Sequence, residues 1–121
     1  MSIQKTAKNK ADILFSKMIR EHGQCMAQGY GPRDCTPRLE AAHWISRRYN
    51  HIRTDFDNAF SLCSSHHRWF TDHPTEWSRF AISLRGEDTY QRLLEASQKT
   101  TKFDWISELE RLQYLNVVGL S

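Results

Sequence analysis

The sequence predicts a small α+β domain, and three observations carry that reading. A helical apolar period opens the chain, two short apolar runs flank a polar stretch in its middle, and further helical segments close it. At 121 residues there is room for one domain with a modest core.

Taken in order, Ala11, Leu14, Phe15, Met18 and Ile19 recur at helical spacing between Thr6 and His22. Gly23 reads as the stop, and lysines occupy the other face. Gly23 to Pro37 carries three glycines, two prolines and two cysteines, a loop that needs a crosslink because it cannot pack a core. Leu39–Ile45 and Ala59–Leu62 read as short strands around the aperiodic stretch Ser46–Asn58. Ser64 or Ser65 is expected to cap a short helix to about Asp72, and Pro74 to open a second that ends before Gly86. Asp88–Ser97 and Thr101–Leu115 give two more. In the last, Thr101 and Asp104 form a capping-box-like pair, with Phe103, Ile106, Leu109, Leu112 and Tyr114 as the core stripe. No repeat or low-complexity tract interrupts the chain.

Composition narrows the function. Hydrophobic residues make up 39%, too many for a disordered chain. No apolar run suits a membrane span or signal core, which implies a soluble, cytoplasmic protein with no membrane partner. The net charge is +3, unevenly placed: residues 1–75 hold 11 Lys/Arg against 7 Asp/Glu, whereas 76–121 hold 6 against 7. The basic half suits a polyanion, and equally reads as a solvated surface.

Three cysteines fit a disulfide framework badly, and five of the six histidines fall between His43 and His73. Thiols clustered with histidines in a reducing compartment are expected to be metal ligands. Cys63-Ser-Ser-His66 has the two-residue gap by which a turn entering a helix grips one ion. Cys25 and Cys35 would complete a Cys₃His zinc site, provided that their loop arches back at Gly29, Gly31 and Pro32. His22 competes for the fourth place, since His22-Gly-Gln-Cys25 has the same gap. The plain alternative is that the cysteines are small buried residues. A site with four protein ligands is closed and structural.

The stretch Glu40-Ala-Ala-His43-Trp-Ile, followed by Asp57-Asn58 and Leu62-Cys63-Ser-Ser-His66-His67-Arg68, resembles the HNH (ββα-metal, His-Me finger) endonuclease motif. The resemblance is specific over residues 40–70. More weakly, residues 8–100 are similar in layout to NinG-like phage recombination nucleases. It implies a ββα-metal core with structural zinc over residues 23–73, a basic N-terminal helix over 6–22 and C-terminal helices over 74–116, all in a single domain 1–121. It further implies a metal-dependent DNA endonuclease, in the host cytoplasm if phage-encoded. His43 would be the general base and Asn58 the residue that orients the loop and His43. His67 would be a ligand to catalytic Mg²⁺ or Mn²⁺.

Ala42 departs from the family, many members of which carry an Asp or His ligand there. Thr71, at another family position, is a poor ligand. The ion would then rely on fewer protein groups, or on His73, Asp72 or Asn58. Arg47, Arg48 and Arg53, between the two strands, and Lys10 and Lys17 on the first helix, are the expected contacts to double-stranded or branched DNA. Trp44 and Trp69 read as core, and His51 as a loop residue or phosphate contact. One site in a monomer implies nicking, whereas double-strand cleavage would need a homodimer. The competing reading, which Ala42 favours, is a non-catalytic zinc module that binds DNA or a packaging or recombination partner. A zinc-finger regulator is disfavoured because no helix carries a base-reading pattern beside finger-type spacing.

Overall fold

The computed structural model describes residues 2–119. Among them are six α-helices and a two-stranded antiparallel sheet. No helix is long and apolar enough to cross a membrane.

Helix α1 runs Ile3–Arg20, three residues earlier than Thr6, because the Ser2 hydroxyl caps it by accepting from the Lys5 N–H. Gly23 follows two residues of turn and takes φ 85°, a conformation that a side chain would strain. Strand β1 spans Leu39–His43 and pairs with β2, Ala59–Cys63, in a register that sets His43 opposite Ala59 and Leu39 opposite Cys63. β1 stops two residues short of Ile45. The Asn58 carbonyl takes the Trp44 N–H and the Asn58 side chain takes the Ile45 N–H, which turns the chain away.

The stretch between the strands is not featureless. It contains a one-turn helix α2, Asn50–Arg53, and a 3₁₀ turn at Phe56–Asn58. Four residues cannot sustain a helix alone. Ile52 anchors this one: it is fully buried, and its burial contributes about 2 kcal/mol.

Helix α3, Ser64–Asp72, follows β2 directly, and its cap is the Cys63 sulfur rather than a serine. Helices α4, Pro74–Arg85, and α5, Glu87–Ser97, meet at Gly86. Helix α6 is Trp105–Val118. Its N-cap is Asp104 itself, which accepts from Ile106 and Ser107, so the expected Thr101–Asp104 box does not form. Its buried side is built on Trp105 and Leu112, with Phe103, Leu109 and Leu115 packed against it. Ile106 and Tyr114 of the expected stripe are exposed, at 38% and 67%, because packing on α1 rotates that edge of α6 outward.

The sheet is packed on both faces, and every residue of β2 is buried. Phe60 and Leu62 face a core completed by Ala42, Trp44, Ile52, Phe70, Phe80 and Leu93. Ala59 faces a second core of Ala11, Phe15, Met18, Trp105 and Leu112. Trp44 belongs to the first core and Trp69 packs half-buried against it, as expected.

Candidate metal centre and adjoining histidines

The Cys loop does arch back. The Met26 N–H donates to the Ser61 carbonyl, so residues 25–27 dock along the outer edge of β2. That brings Cys25 to Cys63, at the end of the same strand, and Cys35 closes over the pair. The ligand atoms of Cys25, Cys35, Cys63 and His66 all lie within 4.8 Å of one another. His66 Nδ1 is 3.2 Å from the Cys63 sulfur, 3.6 Å from Cys35 and 3.7 Å from Cys25. Ordinary Zn–S and Zn–N bond lengths at tetrahedral angles predict S···N edges of about 3.5 Å, so the set fits one tetrahedral ion.

The tautomer fits as well. His66 Nε2 lies 2.9 Å from the Tyr30 carbonyl, which can only accept. The proton is therefore on Nε2, and the Nδ1 lone pair faces the sulfurs. Burial alone would push the Cys63 thiol up, but the N–H groups of His66 and Thr36 outweigh it and bring the thiol down to about 6. Cys35 goes the other way, pushed up to about 12 by desolvation and by the neighbouring Cys25 and Cys63 sulfurs. Three thiols crowded together cannot all ionise without a cation, and a divalent ion supplies that charge. These four residues can therefore hold a metal such as zinc. His22 is exposed and outside the group, which removes it as the rival ligand.

His43 ends β1 half-buried, its ring 5.8 Å from that of Phe15 on α1. Nε2 is 2.8 Å from the Arg53 carbonyl, so it carries the proton and Nδ1 keeps the lone pair. Burial pushes its pKa below the ordinary imidazole value, and the Arg47 and Arg53 cations add to the drop. The Arg53 carbonyl and Asp12 offset part of it. The net shift favours the neutral imidazole.

Asn58 is fully buried. Its Oδ1 accepts from the Ile45 N–H at 2.8 Å, and Nδ2 donates to the carbonyls of Ile45 and Ile52 at 3.0 and 3.2 Å. The side chain thus clasps both ends of the segment that follows His43. Its oxygen is thus buried and taken up by the Ile45 N–H. Asn58→Ala is expected to strand the Ile45 N–H and cost about 3 kcal/mol. The check is the urea unfolding midpoint, which should fall at unchanged slope.

His67 lies on the first turn of α3, half-exposed, with Nδ1 2.9 Å from Glu40 Oε1. The Glu40 carboxylate accepts the Nδ1–H and fixes the orientation of the ring. Sequence reasoning gave Glu40 no role. The strand period was the available signal, since it sets Glu40 opposite Leu62, beside the start of α3.

Of the other expected groups, Asp72 lines one cleft with Glu40, His67 and Thr71, whereas His73 is turned away from it. His73 stacks on Trp69, with ring centroids 4.4 Å apart, and its Nδ1 bonds the Trp69 carbonyl. Asp72 is exposed at the end of α3. Among the described residues, no second group of three or more His, Cys, Asp or Glu gathers its ligand atoms as the Cys₃His set does.

Arg53 is committed inside the protein. It makes two 2.7 Å bonds to Asp12 and one to the Arg47 carbonyl, with its side chain only 14% exposed, which withdraws it from the expected DNA contacts. Arg47 and Arg48 stay exposed, Arg48 lying over the Tyr49 ring. Lys10 and Lys17 are exposed on α1, Lys17 paired with Glu21. His51 bonds Thr101 and packs edge-on to Phe103, a structural placement.

No protein-family model, curated protein or solved structure matches this chain.

Proposed function

We propose that the protein is a metal-dependent DNA endonuclease with an HNH-like ββα core, stapled by zinc at Cys25, Cys35, Cys63 and His66. The observation that supports this reading is His43, held on the Arg53 carbonyl beside a segment that Asn58 clasps. A neutral imidazole has one nitrogen pinned on a carbonyl and the other keeping its lone pair, and the segment after it is clasped by a buried asparagine. The clasp fixes the backbone beside His43, as a positioned general base requires. Hydrolysis of a phosphodiester needs water deprotonated at neutral pH, and His43 meets that need.

His67, oriented by Glu40, would hold the divalent ion, Mg²⁺ or Mn²⁺. When bound, that ion neutralises charge developing on the phosphate and leaving oxygen. Arg47 and Arg48, exposed beside His43, would meet the DNA backbone, with Lys10 and Lys17 on the flanking helix.

The test is supercoiled plasmid incubated with zinc-loaded protein and Mg²⁺ or Mn²⁺. Nicking that stops when magnesium is chelated with zinc retained supports the proposal. No nicking of supercoiled, linear, branched or single-stranded DNA in either metal sinks it.

A second reading, a catalytically silent module that binds DNA or a recombination partner, has its own observation. Ala42 is 1% exposed and packed in the core, so no ion reaches the place where a strand ligand would stand. The strand alternation also puts Glu40 and His43 on opposite faces of the hairpin. On this reading DNA affinity survives magnesium chelation and falls when Arg47 and Arg48 are both replaced by Ala. Each lost phosphate contact should lower the salt slope by about 1.

A further inference from the structure

Asp12 is the one acidic residue of α1, a helix that otherwise carries five Lys and Arg. A lone acid there would repel the DNA backbone that the basic helix is proposed to meet, so its place needs a reason. Its carboxylate takes two 2.7 Å bonds from the Arg53 guanidinium, Nε to Oδ1 and Nη2 to Oδ2. This two-point geometry is the strong form of an Arg–carboxylate pair. The pair is largely withdrawn from water, with the Arg53 side chain 14% exposed and that of Asp12 23% exposed. Arg47 also reaches Asp12, at 3.7 Å, but its side chain stays 61% exposed.

Arg53 is tied at two further points. Its Nη1 donates to the Arg47 carbonyl at 2.8 Å, which closes the loop after β1 onto α2. Its own carbonyl, at the end of α2, lies 2.8 Å from His43 Nε2 and accepts its proton. A carbonyl in the last turn of a helix has no partner within that helix, so it is free for this bond. One residue thus links α1, the loop and the ring of His43. Phe15, one turn after Asp12 on α1, packs against the same ring.

The neighbours of Arg53 are anchored differently. Asn58 holds the Ile52 carbonyl, and Thr54 is bonded to Glu108 and Arg111 of α6. Neither contact fixes the Arg53 side chain. Among the described residues, Asp12 is the only acid within ion-pair distance of it. Without Asp12 the guanidinium would be buried with no paired acid, so it must swing into water and draw the end of α2 with it.

We propose that Asp12 is a positioning residue, which acts through the Arg53 side chain to hold the Arg53 carbonyl on His43 Nε2. That bond keeps the proton on Nε2 and leaves the Nδ1 lone pair free to accept one. The inference deepens the nuclease reading and rests on it for the role of His43. The hold itself is read without DNA, so the two can fail separately.

The test observes the His43 ring in zinc-loaded, full-length, ¹⁵N-labelled protein. Wild type should show a ring N–H proton protected from exchange by the Arg53 carbonyl, and His43→Gln should lack it. Asp12→Ala should lose that signal while zinc content stays at the wild-type value. If Asp12→Ala does not fold, Asp12→Ala combined with Arg53→Met decides the matter, since it leaves neither charge buried alone. The double variant should fold and lack the signal. Plasmid nicking adds a kinetic split: kcat should fall about tenfold or more in Asp12→Ala, with KM little changed. Loss of the signal in a protein that nicks no DNA supports the hold on His43 and overturns only the nuclease reading. A protected His43 signal kept in either variant, its absence from wild type, or a rise in KM with kcat unchanged would each overturn the proposal.

Discussion

Removing the proposed zinc ion is expected to unfold the middle of the protein. The segment between α1 and β1 has no helix or strand of its own, yet Cys25 and Ala27 are buried within the main core. That loop is held by the Met26–Ser61 bond, a few turn bonds, Tyr30 packed on Trp69, Phe70 and Phe80 with its hydroxyl on Glu76, the bonds of Thr36 to the start of α3, and the Cys₃His set. Structural zinc sites contribute about 10 kcal/mol of apparent binding energy, comparable with the whole stability of a domain this size. Chelation should therefore lower the melting temperature by tens of degrees or abolish a cooperative transition, followed by circular dichroism with zinc counted in parallel.

The variant that isolates the metal is Cys35→Ala. Cys35 is exposed, so its substitution opens no cavity, whereas Cys63→Ala would also disturb a fully buried position. A large loss of stability in Cys35→Ala, with zinc content reduced, assigns the effect to coordination. An unchanged melting temperature in protein shown to be free of zinc would remove the staple from the account.

The second large effect is expected at His43. His43→Gln keeps a side-chain donor able to reach the Arg53 carbonyl but removes the basic nitrogen, so fold and zinc content should stay close to wild type. A positioned general base contributes about a thousandfold, and plasmid nicking should fall by that factor. The pH profile supplies a second readout. The His43 pKa lies below 6.5, and only the neutral ring can accept a proton. Wild-type activity should be level at pH 7 and above and decline as pH drops through the His43 pKa. The residual activity of His43→Gln should lack that limb. Nicking by the variant at the wild-type rate would show that another group, or none, is the base.

The parts legible in the sequence were local. The helical period from Ala11 to Ile19 and Pro74 at a helix start depend on neighbours within a turn or two, and both appear in the fold. So does the two-residue gap from Cys63 to His66, since a strand running straight into a helix brings those side chains together over one turn. The α+β class was readable for the same reason. The choice of His66 over His22 was not, because both have identical spacing to a cysteine. Docking of residues 25–27 on the edge of β2 decides it.

What the tertiary structure alone decided lies in contacts between distant segments. Arg53 and Arg47 look alike in the sequence and both reach Asp12 on α1, but only Arg53 makes two 2.7 Å bonds to it and is buried there. Glu40 gains its link to His67 only from the register of β1 on β2 and the way α3 leaves the sheet. Ile106 and Tyr114 fit the helical period yet face outward, because α6 turns Trp105 and Leu112 toward α1. By itself, then, the sequence determined the elements and the pair of candidate metal ligands nearest in the chain, Cys63 and His66. Which charges are spent, which histidine closes the metal site and which helix edge meets water were set by packing, since a side chain's partner across dozens of residues is chosen by the shape of the assembled core and not by its local pattern.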